Sequence, residues 1–269
     1  MPMNMNNFNR TIRNNDNTHD VLFKDYAALR PVGGRDNAAE YYETKISIDM
    51  SGSMRTPMEG TKSRFDEIKE ALLHHLRSLM KDELWSAYGH VSILVFGDNC
   101  TRQILEKTPV CELDLQSLQR DLDAIHPRGN TPMGRALVEA MGQLRDNHKQ
   151  AVAKGMNAYQ PILVLFTDGE ANDDMSEAFR MADTLLDDDK LVLLPVHISG
   201  CEKGIETLQR LVAKDPSGES VSVLNNHSDV LSFFKYLKKT QQILHDTDPN
   251  RVEMARRAAR LGYMRRKGE

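Results

Sequence analysis

Lys45 to Met54 reads KISIDMSGSM: a short apolar run ends on a carboxylate, Asp49, and gives way to Ser51 and Ser53 on either side of Gly52. Such a stretch reads in two ways, as a strand-to-loop turn rich in small polar residues or as three oxygen ligands aimed at one point. Two other stretches bear on the choice, GNTPMG at 129–134 and FTDGE at 166–170. Together the three offer Asp49, Ser51, Ser53, Thr131 and Asp168. All five are oxygen donors with no histidine or cysteine interleaved, which suits a hard cation such as Mg²⁺, Mn²⁺ or Ca²⁺ rather than zinc or copper. Mg²⁺ takes about six oxygens and keeps several waters. Two carboxylates and three hydroxyls supply such a shell and leave room in it. The i, i+2 spacing of the serines lets both hydroxyls turn inward, and Gly52 relaxes the backbone between them. Asn130, Gly169, Glu170, Asn172 and Asp173 stand beside these donors as rim or supporting residues.

Donors so far apart in sequence need a scaffold that brings them together. TKISID is a strand ending at Asp49, and RFDEIKEALLHHLRSLMK carries Phe65, Ile68, Leu72, Leu76 and Leu79 at helical spacing. HVSILVFGD is a buried strand, and TRQILE beyond a Gly-Asp-Asn turn is its antiparallel neighbour. LDLQSLQRDLDAIH is amphipathic through Leu115, Leu118, Leu122 and Ile125, and a long helix runs from about Gly134 to Ala153. There follow the strand PILVLF, the helix MSEAFRMADTLLDDD, the strand LVLLPV, the helix GIETLQRLVAK, the short strand SVSVLN and a helix from Asp229 to about Leu244. PILVLF and LVLLPV are apolar throughout, as strands covered on both faces are. This alternation predicts an α/β fold: a doubly wound, Rossmann-like, mostly parallel sheet with one antiparallel edge strand and helices on both faces. Ligands of such sheets sit outside the carboxyl ends of the strands, where Asp49 and Asp168 fall.

At this point the ordered D-x-S-x-S, Thr and Asp set resembles the metal-ion-dependent adhesion site of von Willebrand factor A domains. The resemblance runs over roughly residues 42–245. It implies that Ser51, Ser53 and Thr131 are metal ligands, that Asp49 and Asp168 bind directly or through water, and that an acidic side chain of a partner protein completes the shell. RGNTPMGRAL, PILVLFTDGEAND and DVLSFFKYL look like the bacterial A-domain proteins associated with tellurium resistance. That likeness implies a cytoplasmic scaffold in a stress-response or phage-defence assembly, with kinase and phosphatase partners. RTPMEGTKS, 55–63, is longer than the family's usual connection to its first helix and is expected to form a rim specific to this chain's partner.

The remaining features narrow the function. Seven of the first twenty residues are asparagine, so 1–40 reads as an unstructured arm, 41–247 as the domain and 248–269 as a basic tail. The tail from Arg251 holds seven basic residues against two acidic ones, which keeps nucleic-acid binding as an alternative. No run of 18 apolar residues is present and the start lacks a secretory h-region, so neither a membrane nor export is expected. Cys100, Cys111 and Cys201 form no C-x-x-C pair and are expected to be structural thiols in a reducing compartment. His197 is expected in the core, His74 and His75 on different faces of one helix, and His126 at the rim. Met50, Met54 and Met133 flank the donors as gap-fillers. A Mg²⁺-dependent phosphohydrolase is the rival reading. Against it, no carboxylate stands two residues after Asp49, and neither a P-loop nor a G-x-S-x-G elbow occurs. Carboxylates engaged by an ion are also poor general bases, so binding without catalysis is expected.

Overall fold

A computed structural model describes residues 38–58, 60–188, 190–198, 202–215 and 221–243. In chain order its strands are β1 (Glu40–Asp49), β2 (Gly89–Gly97), β3 (Cys100–Pro109), β4 (Asn157–Ala158), β5 (Ile162–Thr167), β6 (Val192–Ile198) and β7 (Ser222–Leu224). The helices are α1 (Arg64–Leu79), α2 (Glu83–Tyr88), α3 (Leu115–Asp123), α4 (Met133–Ala153), α5 (Ser176–Asp187), α6 (Glu202–Leu211) and α7 (His227–Ile243). Short 3₁₀ turns occupy Gly52–Arg55 and Val110–Glu112. β1 begins at Glu40, the last residue of the expected arm. The rest of that arm up to residue 37, the tail 248–269 and Cys201 lie outside the described residues.

The strands form one sheet in the order β3-β2-β1-β5-β6-β7, with β4 pairing the start of β1. All neighbours are parallel except β2 and β3, which are joined by the two-residue turn Asp98-Asn99. Both turn residues have positive φ, 50° and 58°, as a tight hairpin turn of this hand requires. β1 is the spine. Ile46 and Ile48 face a core shared with α1, α2, α3 and α7, while Leu94, Leu163, Leu165 and Leu193 face a second core with α4, α5 and α6. The predicted doubly wound sheet with its single antiparallel edge strand is the observed one.

Local signals explain where the elements begin. Ser63 caps α1 by accepting from Asp66 N, and Asp114 caps α3 by accepting from Gln116 N and Ser117 N. Phe65, Ile68, Leu72, Leu76 and Leu79 are all buried, as their spacing predicted. The chain runs β1, β2, β3 toward one edge and then returns to the other side of β1 with β5. The order therefore reverses between β1 and β5, whose carboxyl ends present Asp49 and Asp168.

Candidate metal centre

Backbone hydrogen bonds lace three loops together above the carboxyl ends of β1, β2 and β5. Met50 N donates to Phe96 O at 2.7 Å, Arg128 N to Met50 O at 2.7 Å, Gly52 N to Gly129 O at 3.1 Å and Asp98 N to Asn130 O at 3.0 Å. Gly129 is needed at this crossing. Its φ is +70° and an added Cβ would lie 2.6 Å from Asp98 Cα. Thr131 is fixed by reciprocal bonds with Asn172: Thr131 N donates to Asn172 Oδ1 at 2.8 Å and Asn172 N to Thr131 O at 3.0 Å. Asp173 accepts from Gly134 N at 2.9 Å and Arg135 N at 2.8 Å, capping α4 directly behind the Thr131 loop.

The three distant stretches meet within this frame. Ser51 Oγ and Ser53 Oγ are 3.1 Å apart, and Ser53 Oγ donates to Asp168 Oδ1 at 2.7 Å. Asp49 Oδ1 accepts from Ser51 N at 2.7 Å, and Asp49 Oδ2 accepts from Thr167 Oγ1 at 2.6 Å. A Cβ added to Gly169 would fall 3.6 Å from Thr131 Oγ1 and 4.0 Å from Ser53 Oγ, so both hydroxyls approach the space this glycine leaves open. Asp49, Ser51, Thr131 and Asp168 are buried while Ser53, Asn130 and Glu170 are exposed, which makes an enclosed floor with a reachable mouth. Gly52 and Gly169 are half-buried between the two. Met54 and Met133 are buried beside this floor and Met50 is partly so, in keeping with gap-filling.

Burial dominates the electrostatics of this floor. Burial pushes the Asp49 carboxyl up to about 7, and the nearby Asp168 pushes the same way, against hydrogen bonds from Thr167 and Ser51. A carboxylate so poorly solvated is one that a positive ion would stabilise. Each carboxylate oxygen retains a further lone pair beyond the hydrogen bond it accepts. Among the described residues no group of three or more His, Cys, Asp or Glu side chains is arranged to hold a metal. The hydroxyl-rich donor set fits a hard ion.

Two contributors escaped sequence reasoning. Thr167 hides inside a buried strand, yet its hydroxyl joins Asp49 to the loop by also accepting from Gly169 N at 3.3 Å. Arg64 donates through Nη1 to Asp168 Oδ2 at 2.5 Å. A basic residue opening a helix runs against the helix dipole, and that was the available signal. The histidines fall as expected: His75 and His197 are buried and His74 is exposed. Exposed His126 lines a groove of about 480 Å³ with Arg55, Ser63, Phe65, Lys69 and Pro127. The 55–63 connection closes through a bridge between Pro57 and Ser63. Cys100 and Cys111 are free and exposed.

Residues 44–170 match the family model of the von Willebrand factor type A domain. Solved structures agree at the level of fold. The VWA domain of SpRpn10 is 17% identical and aligns over 72% of this chain and 95% of its own, with a TM-score of 0.53. The PilB minor pilin from Streptococcus sanguinis is 14% identical over 78% of this chain and 63% of its own, with a TM-score of 0.57. A von Willebrand factor type A protein from Catenulispora acidiphila is 16% identical over 81% of this chain and 48% of its own, with a TM-score of 0.55. This chain thus spans less than two thirds of the latter two. No curated protein matches. Residues 44–170 thus resemble the von Willebrand factor type A family, and the fold agrees with that of a solved domain of that type. Among the described residues no helix is long and apolar enough to cross a membrane.

Proposed function

We propose that this chain is a metal-dependent protein-interaction module. Asp49, Ser51, Ser53, Thr131 and Asp168 would hold one divalent cation, Mg²⁺ or else Mn²⁺ or Ca²⁺, and an Asp or Glu of a partner protein would complete its coordination. The ion would supply a positive centre at an otherwise buried floor, reached from solvent past Ser53. The observation that carries this reading is the bridge made by Ser53 Oγ, 3.1 Å from Ser51 Oγ and 2.7 Å from Asp168 Oδ1 across 115 residues of sequence. The role is binding without turnover. All four carboxylate oxygens already accept hydrogen bonds, from Ser51, Thr167, Ser53 and Arg64. A bacterial, cytoplasmic assembly of the tellurium-resistance, stress or phage-defence kind, with kinase and phosphatase partners, is the setting that the sequence resemblance favours.

Calorimetric titration with Mg²⁺ and Mn²⁺ tests this directly. Heat of binding and a rise in melting temperature are expected for the natural chain, and both should vanish in Ser51→Ala/Ser53→Ala. A chain that is folded but takes up neither ion would end the metal reading. For the partner, capture that survives EDTA and the double variant unchanged would remove the bridged carboxylate while leaving the fold intact.

A further inference from the structure

The cation nearest this centre belongs to the chain itself. Arg64 follows the capping Ser63 and opens α1, and its Nη1 reaches Asp168 Oδ2 at 2.5 Å and Ser53 O at 3.4 Å. The Asp168 side chain is wholly enclosed and that of Arg64 is 12% exposed, so solvent screens the pair little. Asp168, and not the helix, holds the arginine there, because the dipole at a helix start disfavours positive charge. The grip is one-sided. Arg64 Nε is buried without a hydrogen-bond partner among the described residues, and so is Nδ1 of His197. The Asp168 charge raises the affinity of His197 for a proton and the Arg64 charge lowers it, although burial is the main influence and lowers it further. A guanidinium satisfied along one edge is replaceable, unlike one held in a full bidentate fork.

Charge counting then separates two designs. Asp49 and Asp168 with Arg64 give the centre a charge of −1. A divalent cation brings it to +1, and one carboxylate brings that to zero. Without Arg64 the same steps run −2, 0 and −1, so the ion alone is enough and the carboxylate is unwanted.

We propose that Arg64 sets both the metal affinity and the partner requirement of this centre. It serves as the counter-ion of Asp168 before loading, weakens the hold on a divalent ion alone, and leaves the loaded centre with one excess positive charge that a partner's carboxylate neutralises. This inference rests on the metal-binding reading above.

The test compares Mn²⁺ binding by calorimetry in the natural chain, Arg64→Ala and Arg64→Gln, with acetate as a monocarboxylate probe and chloride as the ionic-strength control. Both variants should bind Mn²⁺ alone on the order of tenfold more tightly, since a like charge a few ångströms away is gone. They should melt lower in EDTA, because Asp168 is then buried without its cation. Acetate should tighten Mn²⁺ binding in the natural chain by about threefold or more relative to chloride, and should not do so in the variants. Equal Mn²⁺ affinities, or an equal response to acetate, would overturn the role of Arg64 while leaving the metal centre standing. Folded chains that all fail to bind Mn²⁺ would overturn the centre and this inference together. If Arg64→Ala does not fold, Arg64→Gln decides the matter.

Discussion

Thr167 is the clearest case of a single hydroxyl holding the centre together. It donates to Asp49 Oδ2 at 2.6 Å in a fully buried position and accepts from Gly169 N. Thr167→Val keeps the branched shape that suits a strand but strips this donor. A buried carboxylate oxygen then loses its partner, which costs about 1–3 kcal/mol. Chemical denaturation in EDTA should report that loss, and an unchanged midpoint would mean that Asp49 finds another donor. Because the change also frees the Asp49 carboxyl to turn, weaker Mn²⁺ binding is expected alongside. The converse position is Glu170, exposed and outside the hydrogen bonds that define the site, where Glu170→Ala should leave both measurements where they were.

At the scale of elements, α4 links the centre to the second core. Its first turn has no side-chain cap of its own from Pro132, and Asp173 supplies one from the loop after β5 by accepting from Gly134 N and Arg135 N. Asp173→Ala removes that cap and its favourable charge at a helix start, a loss of about 1–2 kcal/mol. Thermal melting should fall accordingly, with weakened metal binding because Thr131 stands only two residues before the helix. A melting point equal to that of the natural chain would show that the loop, not the helix, is what Asp173 serves. The elements themselves were legible because apolar periodicity separates PILVLF from the Phe65–Leu79 stripe without ambiguity. The short α2 and the two-residue β4 were not, since six or two residues carry too few positions to display a period. The five candidate ligands were legible because they cluster in loop motifs. Thr167 was not, because a hydroxyl in an apolar strand acquires meaning only from a partner more than a hundred residues away, and a base at a helix start flags Arg64 without naming Asp168 as its partner.

Over the whole molecule, the spine strand is buried on both faces, yet one face is polar. Glu43, Lys45 and Ser47 are all enclosed on the α4 side, with Glu43 accepting from Tyr41 at 2.6 Å and from Asn147 at 2.8 Å. The hydroxyls of Ser47 and of Ser92 on the neighbouring strand are buried without partners among the described residues. Lys45 bears the largest consequence. Burial lowers its ammonium from the ordinary 10.5 to about 8, despite opposing attraction from Glu43, Glu106 and Glu139. Between those two values the unfolded chain holds a proton that the folded chain has released, so global stability must rise with pH across that window. The gain from pH 8 to 9.5 is about 1.5 kcal/mol. Among the other buried groups, Asp49 is half titrated near 7, below this interval, and the raised phenols of Tyr41 and Tyr42 oppose the gain increasingly as pH approaches their ordinary 10.0. Urea midpoints at pH 8, 8.5, 9 and 9.5 should therefore climb for the natural chain and stay level for Lys45→Met, which replaces the ammonium with a flexible apolar chain of similar length. An identical slope in both would assign the alkaline gain to another group and leave the Lys45 amine solvated. A level line in the natural chain alone would mean that Glu43, two residues away on the same face of β1, holds the charge in place.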